Sequence, residues 1–322
     1  MTTTWPDASP PLVRRSAAEE GHYRDFLAGP GDERRPVLVV TGNCQAESLR
    51  LLLDGHDVRT VRLPPLHDVR PHEVEPLHRW LARTDLLVAQ PVRADYRGLP
   101  IGTEQQVAQL PPTAAVAPVP IIRYAGLHPW HLVMHPPGLV DPEPPVVAYH
   151  DVRLVTEAAL RRAGRTAPDP GPAAPDRVLA VADASVAELA RREAAAGAVP
   201  VSDLLRRPAG DTVRTVNHPG NRLLEPVAAR VRAALGLQAR ATTGDRPLLT
   251  SVVAPLEAAV VAAHGLDDAP RPDWLVGGRP VTAGTVAQAQ LAWYAARPDV
   301  LDLALARSAA ARDLLGLTAP GD

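Results

Sequence analysis

The sequence has no lysine and a single cysteine, Cys44, among its 322 residues. All 34 basic residues are therefore arginine, and with 36 prolines the composition is typical of a GC-rich genome. Individual arginines consequently carry less functional weight. The formal net charge of −2 predicts no general attraction to nucleic acid or to acidic membranes. A single cysteine cannot form a disulfide bond within the chain.

Other common sequence features are absent. No apolar run reaches the length of a membrane span, and the N-terminus has no basic segment followed by an apolar core. We therefore expect a soluble, cytoplasmic protein. The phosphate-binding loop, the dinucleotide fingerprint and the Gly-x-Ser-x-Gly nucleophile elbow are also missing. Aromatic residues, at 3%, are too few for a surface that stacks nucleic-acid bases.

The stretch 36–55 is the most informative part of the chain. It is predicted to form a buried valine-rich strand, a tight turn at Gly42 and Asn43, and a helix with an apolar face. Cys44 would then lie near a helix N-terminus, where the helix dipole and unpaired N–H groups favour a thiolate and could bind an oxyanion or a phosphate. A buried cysteine is often only a small apolar side chain. The amides of Asn43 and Gln45 on either side favour a chemical role.

The alternation of strands and helices predicts an α/β fold with a parallel sheet and crossover helices in the N-terminal half. Further strands are expected at 57–63, 85–90 and 114–124. Gln90 ends one of them, so it would lie with Cys44 at the carboxyl ends of the strands, where such sheets bind ligands. Later in the chain, helices are predicted at 152–163, 186–195, 221–237, 252–264 and 281–296.

Three segments follow from this pattern. Residues 1–35 form an N-terminal extension, residues 36–150 form the α/β part with the Gly-Asn-Cys-Gln turn, and residues 151–322 form a mainly helical part that completes the same site.

Histidines in two places after the sheet are candidates for proton transfer. Asp151 is most simply a helix N-cap, and the adjacent His150 could bind substrate or phosphate, or pack in a loop. His218 could be a general acid or base, or, with Asn217, only cap a helix. A metal site at the histidines 128, 131 and 135 is disfavoured because nearby prolines break any helix that would align them.

Five separated blocks together resemble one family. They are Gly-Asn-Cys-Gln-Ala at 42–46, Gln90-Pro91 with Tyr96, Tyr-His-Asp at 149–151, Val-Ser-Asp at 201–203, and Asn-His-Pro at 217–219 followed by Asn221. In this order the series is similar to the WcbI family of polysaccharide-biosynthesis proteins, over about residues 36–240. More distantly, the arrangement is analogous to the Ser-Gly-Asn-His hydrolases, with Cys44, Gln90 and His218 in the places of nucleophile, amide and base.

The resemblance implies a CoA-dependent acyltransferase that O-acetylates a saccharide or a glycosylated metabolite, with acetyl-CoA as co-substrate and no metal. The catalytic candidates are Cys44, His218 and His150. The oxyanion or substrate-binding candidates are Gly42, Asn43, Gln45, Gln90, Tyr96, Asp151, Asn217 and Asn221. Candidates for the CoA phosphates are Arg93, Arg97, Arg123, Arg153 and Arg222.

Two alternatives use the same residues. In the first, water replaces the acceptor, and the protein is a thioesterase or an esterase. In the second, the protein binds CoA or a glycan without turnover and the polar turn is structural. Cys44 itself has two possible roles: it forms an acetyl-thioester, or it only shapes the turn during direct transfer.

Overall fold

The structure is a computed structural model that describes residues 15–32, 34–134, 142–166, 171–239 and 246–319. The chain divides into two compact units. The first comprises residues 1–121, 190–201 and 222–248, and the second comprises residues 122–189, 202–221 and 249–322. These bounds differ from the continuous segments 36–150 and 151–322 expected from sequence, because each unit is assembled from separated stretches of the chain.

A four-stranded parallel sheet forms the centre of the first unit, as the sequence predicts. Its strands are β1 (Val37–Thr41), β2 (Arg59–Thr60), β3 (Leu86–Ala89) and β4 (Ala115–Pro118), in the order β2-β1-β3-β4. All five residues of β1 are buried, which explains its continuous apolar sequence. Since β1 and β3 are neighbours, the residues that follow them lie at the same edge of the sheet.

Two of the strands are shorter than predicted. The expected strand 57–63 is reduced to β2, and the expected strand 114–124 ends at Pro118. The Val119 N–H still donates to the Ala89 carbonyl, but the partner strand ends at Ala89 and Pro120 has no N–H to donate, so the pairing stops there.

Helices and buried side chains complete the first unit. Phe26, Leu77 and Trp80 pack with strand residues in one apolar cluster. The two N-terminal helices of this unit meet at Tyr23. The α-helices of this unit are Ala17–His22, Arg24–Ala28, Cys44–Leu53, Val74–Leu81 and Thr103–Val107, and its 3-10 helices are Leu66–Asp68, Pro71–Glu73 and Tyr96–Gly98.

The second unit is mainly helical. Its α-helices are Val152–Arg162, Ala258–His264, Ala283–Ala296 and Pro298–Leu315, with a 3-10 helix at Ser202–Leu205. Val155, Tyr294 and Leu301 bring three of these helices together in one buried cluster. Two further helices, Pro175–Ala196 and Asn221–Ala234, contribute residues to both units. The first of them begins eleven residues earlier than predicted, at a proline that the first helical turn tolerates.

The second unit also contains short strands that the sequence analysis did not predict. Trp274–Val276 is the central strand of an antiparallel sheet. It pairs with Val252–Val253 on one side and with Arg279–Val281 on the other. The helix expected over 252–264 therefore starts only at Ala258. Two-residue ladders join His131–Leu132 to His150–Asp151, and Val213–Thr215 pairs with His218–Pro219.

Candidate active site

The turn after β1 holds Cys44 as the first residue of a ten-residue helix. Asn43 caps this helix, because its Oδ1 accepts the N–H of Gln45 at 2.9 Å. This is the local reason that the sequence folds here as predicted: an asparagine N-cap satisfies one of the N–H groups that a helix leaves open at its start.

Gln90, at the end of β3, connects the neighbouring strand to this turn. Its Oε1 accepts the Asn43 N–H at 2.8 Å, and its Nε2 donates to Gln45 Oε1 at 3.2 Å. Gln90 and Gln45 are buried, so these hydrogen bonds are protected from water. The structure thus brings together Gly42, Asn43, Cys44, Gln45 and Gln90, as the sequence analysis expects.

Gly42 is required by the close approach of Gln90. A Cβ atom on Gly42 would lie 2.2 Å from Gln90 Oε1 and 2.7 Å from its Cδ. No side chain is compatible with such distances unless Gln90 moves. The glycine therefore allows the amide of the next strand to lie directly against the turn.

The Cys44 thiol is partly buried, and its protonation differs from the expectation. Burial raises the pKa of Cys44, and this effect exceeds the opposite influence of the N–H groups of Cys44 and Gln45, which lower it. The resting group is therefore a thiol at neutral pH. The thiolate that the helix position alone suggested is not the resting form, because desolvation outweighs the contribution of the N–H groups.

Some of the N–H groups that could bind an oxyanion are already used in these contacts. The Gln45 N–H is bonded to Asn43, and the Asn43 N–H is bonded to Gln90. Donors at the turn outside these two contacts include the Cys44 N–H, the side-chain amide of Asn43 and the second N–H of the Gln90 amide, whose first N–H donates to Gln45. Tyr96 lies in a different part of the first unit, where it packs against the apolar cluster around Trp80.

His218 lies in a second polar cluster, in the second unit. It follows Thr215 and Asn217 and is half-buried. The Tyr149 hydroxyl donates to Asn217 Oδ1 at 2.9 Å and lies 2.9 Å from Thr215 Oγ1, which also accepts the His218 N–H at 3.1 Å. The Tyr149 ring meets the His218 ring edge-on, with 6.3 Å between centroids.

Burial lowers the pKa of His218, with a smaller lowering by Arg214 and an opposing hydrogen bond to the backbone of Val252. The imidazole is therefore neutral at neutral pH and can accept a proton. Its Nδ1 is buried and has no hydrogen-bond partner within the described ranges. Such an environment is compatible with a general base, a role that for His218 remains a prediction.

His150 and Asp151 have different surroundings from His218. The His150 ring is fully buried, and its Nδ1 lies 2.7 Å from the Tyr294 hydroxyl. Asp151 caps the helix Val152–Arg162, as expected, and accepts from the Arg153 N–H at 2.8 Å. It also binds the Arg153 guanidinium, so that Arg153 lowers the pKa of Asp151 against the opposing effect of burial. These contacts show packing and capping, and the catalytic role of His150 remains a prediction.

The other predicted residues occupy exposed or partly exposed positions. Asn221 begins a helix, and Arg93, Arg97, Arg123 and Arg222 are exposed. Arg153, in contrast, is already bound by two carboxylates, Asp151 and Glu257, which makes it a poor phosphate ligand. The contribution of Thr215 was missed, although it lies two residues from Asn217. No sequence signal pointed to Glu257.

The described parts of the chain contain no grouped set of metal-binding side chains and no membrane-spanning helix. There, no three or more His, Cys, Asp or Glu side chains are grouped so that they could hold a metal ion, and His135 lies outside these parts. No helix of the described segments is both long and apolar enough to cross a membrane.

The protein is thus an α/β protein whose candidate site is centred on a thiol. Cys44 lies there with the side-chain amides of Asn43, Gln45 and Gln90, at the carboxyl ends of the parallel strands. Residues 37–240 match the family model of the polysaccharide biosynthesis enzyme WcbI. The chain therefore belongs to the WcbI family, which is a family of polysaccharide biosynthesis enzymes.

A solved structure gives a second comparison. It is WcbI, described as a novel polysaccharide biosynthesis enzyme, in a native form without a disulfide bond between CoA and a cysteine of that protein. The TM-score is 0.73 and the identity 22%, over 88% of this chain and 99% of that chain. At this identity the similarity shows the fold. No curated protein matches the chain in sequence.

Proposed function

We propose that the protein is a CoA-dependent acyltransferase that transfers an acetyl group from acetyl-CoA to a hydroxyl group of a saccharide. The observation that carries the proposal is the turn at Cys44, where a thiol lies among amide donors at the ligand-binding edge of a parallel sheet. Family membership supports a saccharide as substrate. The solved WcbI structure is described as a form without a disulfide bond between CoA and a cysteine, which supports CoA as the acyl carrier.

In the covalent form of the reaction, Cys44 loses its proton and its sulfur attacks the thioester carbonyl of acetyl-CoA. The carbon–sulfur bond to CoA then breaks, and CoA leaves with a proton as the free thiol. The acceptor hydroxyl next attacks acetyl-Cys44, its proton passes to a base, and the Cys44 thiol is restored. One thioester is exchanged for another in the first half, so that step is nearly balanced in energy.

The amide groups of the turn have a defined role in this scheme. The tetrahedral intermediates carry negative charge on the former carbonyl oxygen, which the Cys44 N–H and the side-chain amide of Asn43 or Gln90 stabilise. Loss of one such donor commonly costs about 3 kcal/mol, on the order of 100-fold in rate. The base assigned from sequence is His218, whose neutral imidazole suits that role.

The test is incubation of the purified protein with radiolabelled acetyl-CoA and no acceptor, followed by intact mass analysis and peptide mapping. We expect label on Cys44 that disappears when a saccharide acceptor is added. The Cys44→Ser variant should lose the thioester label. If this variant transfers acetyl groups at the wild-type rate, transfer is direct and the covalent form is excluded.

Two other outcomes correspond to the alternatives. Rapid release of free acetate without an acceptor indicates a thioesterase. Tight CoA binding without turnover over a broad panel of acceptors indicates a binding protein. No CoA binding at all would contradict the proposal.

A further inference from the structure

The second unit contains a cavity of about 790 Å³ that involves none of the catalytic candidates Cys44, His218 and His150. Its volume lies within the range of roughly 300–1,000 Å³ that is common for sites of organic ligands. Trp130 and Trp274 contribute aromatic wall, and Leu154 and Leu315 contribute aliphatic wall. The cavity is therefore large and apolar enough to hold more than solvent.

A rigid group of charged side chains forms the polar part of the cavity wall. Arg153 binds Asp151 through Nε and Nη2, and its Nη2 lies 2.9 Å from Glu257 Oε1. The Arg153 guanidinium also lies 4.6 Å from the centre of the Trp130 ring, whose Nε1 donates to Glu257 at 3.1 Å. These four residues are thus fixed in place before any ligand binds, which reduces the entropy cost of binding.

Some hydrogen-bonding capacity of this group remains unused. Arg153 Nη1 makes no hydrogen bond with any residue that the structure describes, whereas Nε and Nη2 are both engaged. Each carboxylate oxygen can accept more than one hydrogen bond. A ligand that both donates to carboxylates and accepts from a guanidinium would satisfy these groups together.

The charge of the wall decides between classes of ligand. Asp151, Glu157 and Glu257 supply three carboxylates, and Arg153 and Arg177 supply two guanidinium groups. His131 adds no positive charge, because burial lowers its pKa to about 3. A phosphate or nucleotide would be repelled by the carboxylates beside Arg153. A purely apolar ligand would leave the charged group desolvated without new partners.

We propose that this cavity binds an uncharged saccharide portion of the acceptor, through its hydroxyls to Asp151, Arg153 and Glu257 and through its carbon face to the apolar wall. A sugar hydroxyl is both donor and acceptor, and an uncharged ring avoids the repulsion that a phosphate would meet. The choice of a saccharide among uncharged polyhydroxylated ligands rests on the proposed function.

The experiment measures binding of uncharged mono- to tetrasaccharides to the full chain in the absence of acetyl-CoA, by saturation-transfer NMR and calorimetry. The Ala287→Phe variant fills the cavity from the helix Ala283–Ala296. Its matched control is Ala292→Phe, at an exposed position of the same helix outside the cavity wall. We expect Ala287→Phe to abolish binding and Ala292→Phe to retain it. Equal binding by both variants, or no binding of any saccharide by the wild type, overturns the proposal.

A second variant tests the charge argument. Glu257→Gln keeps the shape of the side chain and removes one negative charge. Saccharide affinity should fall about tenfold, as expected for a lost hydrogen bond to a charged group. CoA or inorganic phosphate could instead bind in the cavity, and bind more tightly to Glu257→Gln than to the wild type. The site would then be specific for anions, and the proposal would be wrong.

The saccharide-binding test can fail or succeed independently of the acyl-transfer test. Label on Cys44 without saccharide binding would reject only the cavity, and saccharide binding without label would reject only the covalent chemistry.

Discussion

The polar clusters around Cys44 and around His218 respond to burial in opposite ways but reach the same charge. Desolvation raises the pKa of the Cys44 thiol and lowers the pKa of the His218 imidazole. Both groups are therefore uncharged at neutral pH. In the covalent reaction proposed above, Cys44 therefore starts as a thiol and loses its proton as the reaction proceeds.

The clusters also differ in how they are assembled. The turn at Cys44 depends on its own neighbours and on one residue of the adjacent strand, Gln90. The cluster at His218 includes Tyr149, which is 68 residues from Asn217 in sequence. Replacing residues in these clusters should therefore have different effects on rate and on stability.

Replacement of the proposed base should have the largest effect. His218→Ala is expected to lower kcat by on the order of 10²–10⁴-fold, because general base catalysis is lost. With wild type, kcat/KM should rise as His218 loses its proton, at a pH below that of an ordinary histidine because burial lowers its pKa. The exposed His56→Ala is the control in the same steady-state assay. An unchanged rate in His218→Ala would remove the assignment.

Crowding the turn should destabilise the first unit. In Gly42→Ala the new Cβ displaces the Gln90 side chain, so the Asn43 N–H loses its acceptor, at a cost of about 1–3 kcal/mol in the free energy of unfolding. Gln90→Ala removes the same acceptor. Because both changes break one contact, the double variant should lose less than the sum of the two, as measured by urea unfolding. Strict additivity would show that the close approach is not the cause.

The cap at Asp151 offers a smaller and pH-dependent effect. Asp151→Asn keeps an N-cap side chain but loses the charge opposite Arg153, so we expect a loss of about 1–2 kcal/mol at neutral pH. The folded-state pKa of Asp151 is lowered, so its stabilisation is present above the unfolded pKa of about 3.9 and is lost as the pH falls through the folded pKa. The difference between variant and wild type should therefore shrink in acid.

The control for this measurement is Asp302→Asn, which removes an exposed partner of Arg162. Its effect should be small at every pH. A difference between Asp151→Asn and wild type that is constant with pH would contradict the assigned role of the charge.

The smallest expected effect concerns the alkylation of Cys44. Alkylation by iodoacetamide should increase with pH around a midpoint above that of an unperturbed small thiol in the same buffer, because burial raises the pKa of Cys44. A midpoint below the reference thiol would show that the N–H groups outweigh desolvation.

The parallel sheet and the Cys44 turn were predictable because their signals are local. A continuous apolar run of valine and leucine marks β1, and an asparagine before Cys44 marks the helix start. The prediction of Gln90 followed from the rule that parallel strands end at one edge. What the sequence did not indicate was the protonation of Cys44, since the pKa depends on how deeply packing buries the thiol.

The antiparallel sheet of the second unit was missed although one signal existed. Gly277 and Gly278, between Trp274–Val276 and Arg279–Val281, both have positive φ, as a type I′ hairpin turn requires. The short flanking runs concealed this hairpin. The cavity was not predictable, because its charged residues Asp151 and Glu257 are more than a hundred positions apart in sequence and only folding brings them to Arg153.

The absence of a side chain at Gly42 has a consequence for how relatives of this protein can diverge. The space that a Cβ would need is filled by the amide of Gln90. Neither position can then change freely by itself. A larger residue at 42 becomes acceptable only together with a shorter one at 90. Among relatives of this protein, we expect the residues at positions 42 and 90 to covary, so that both are retained or both are replaced.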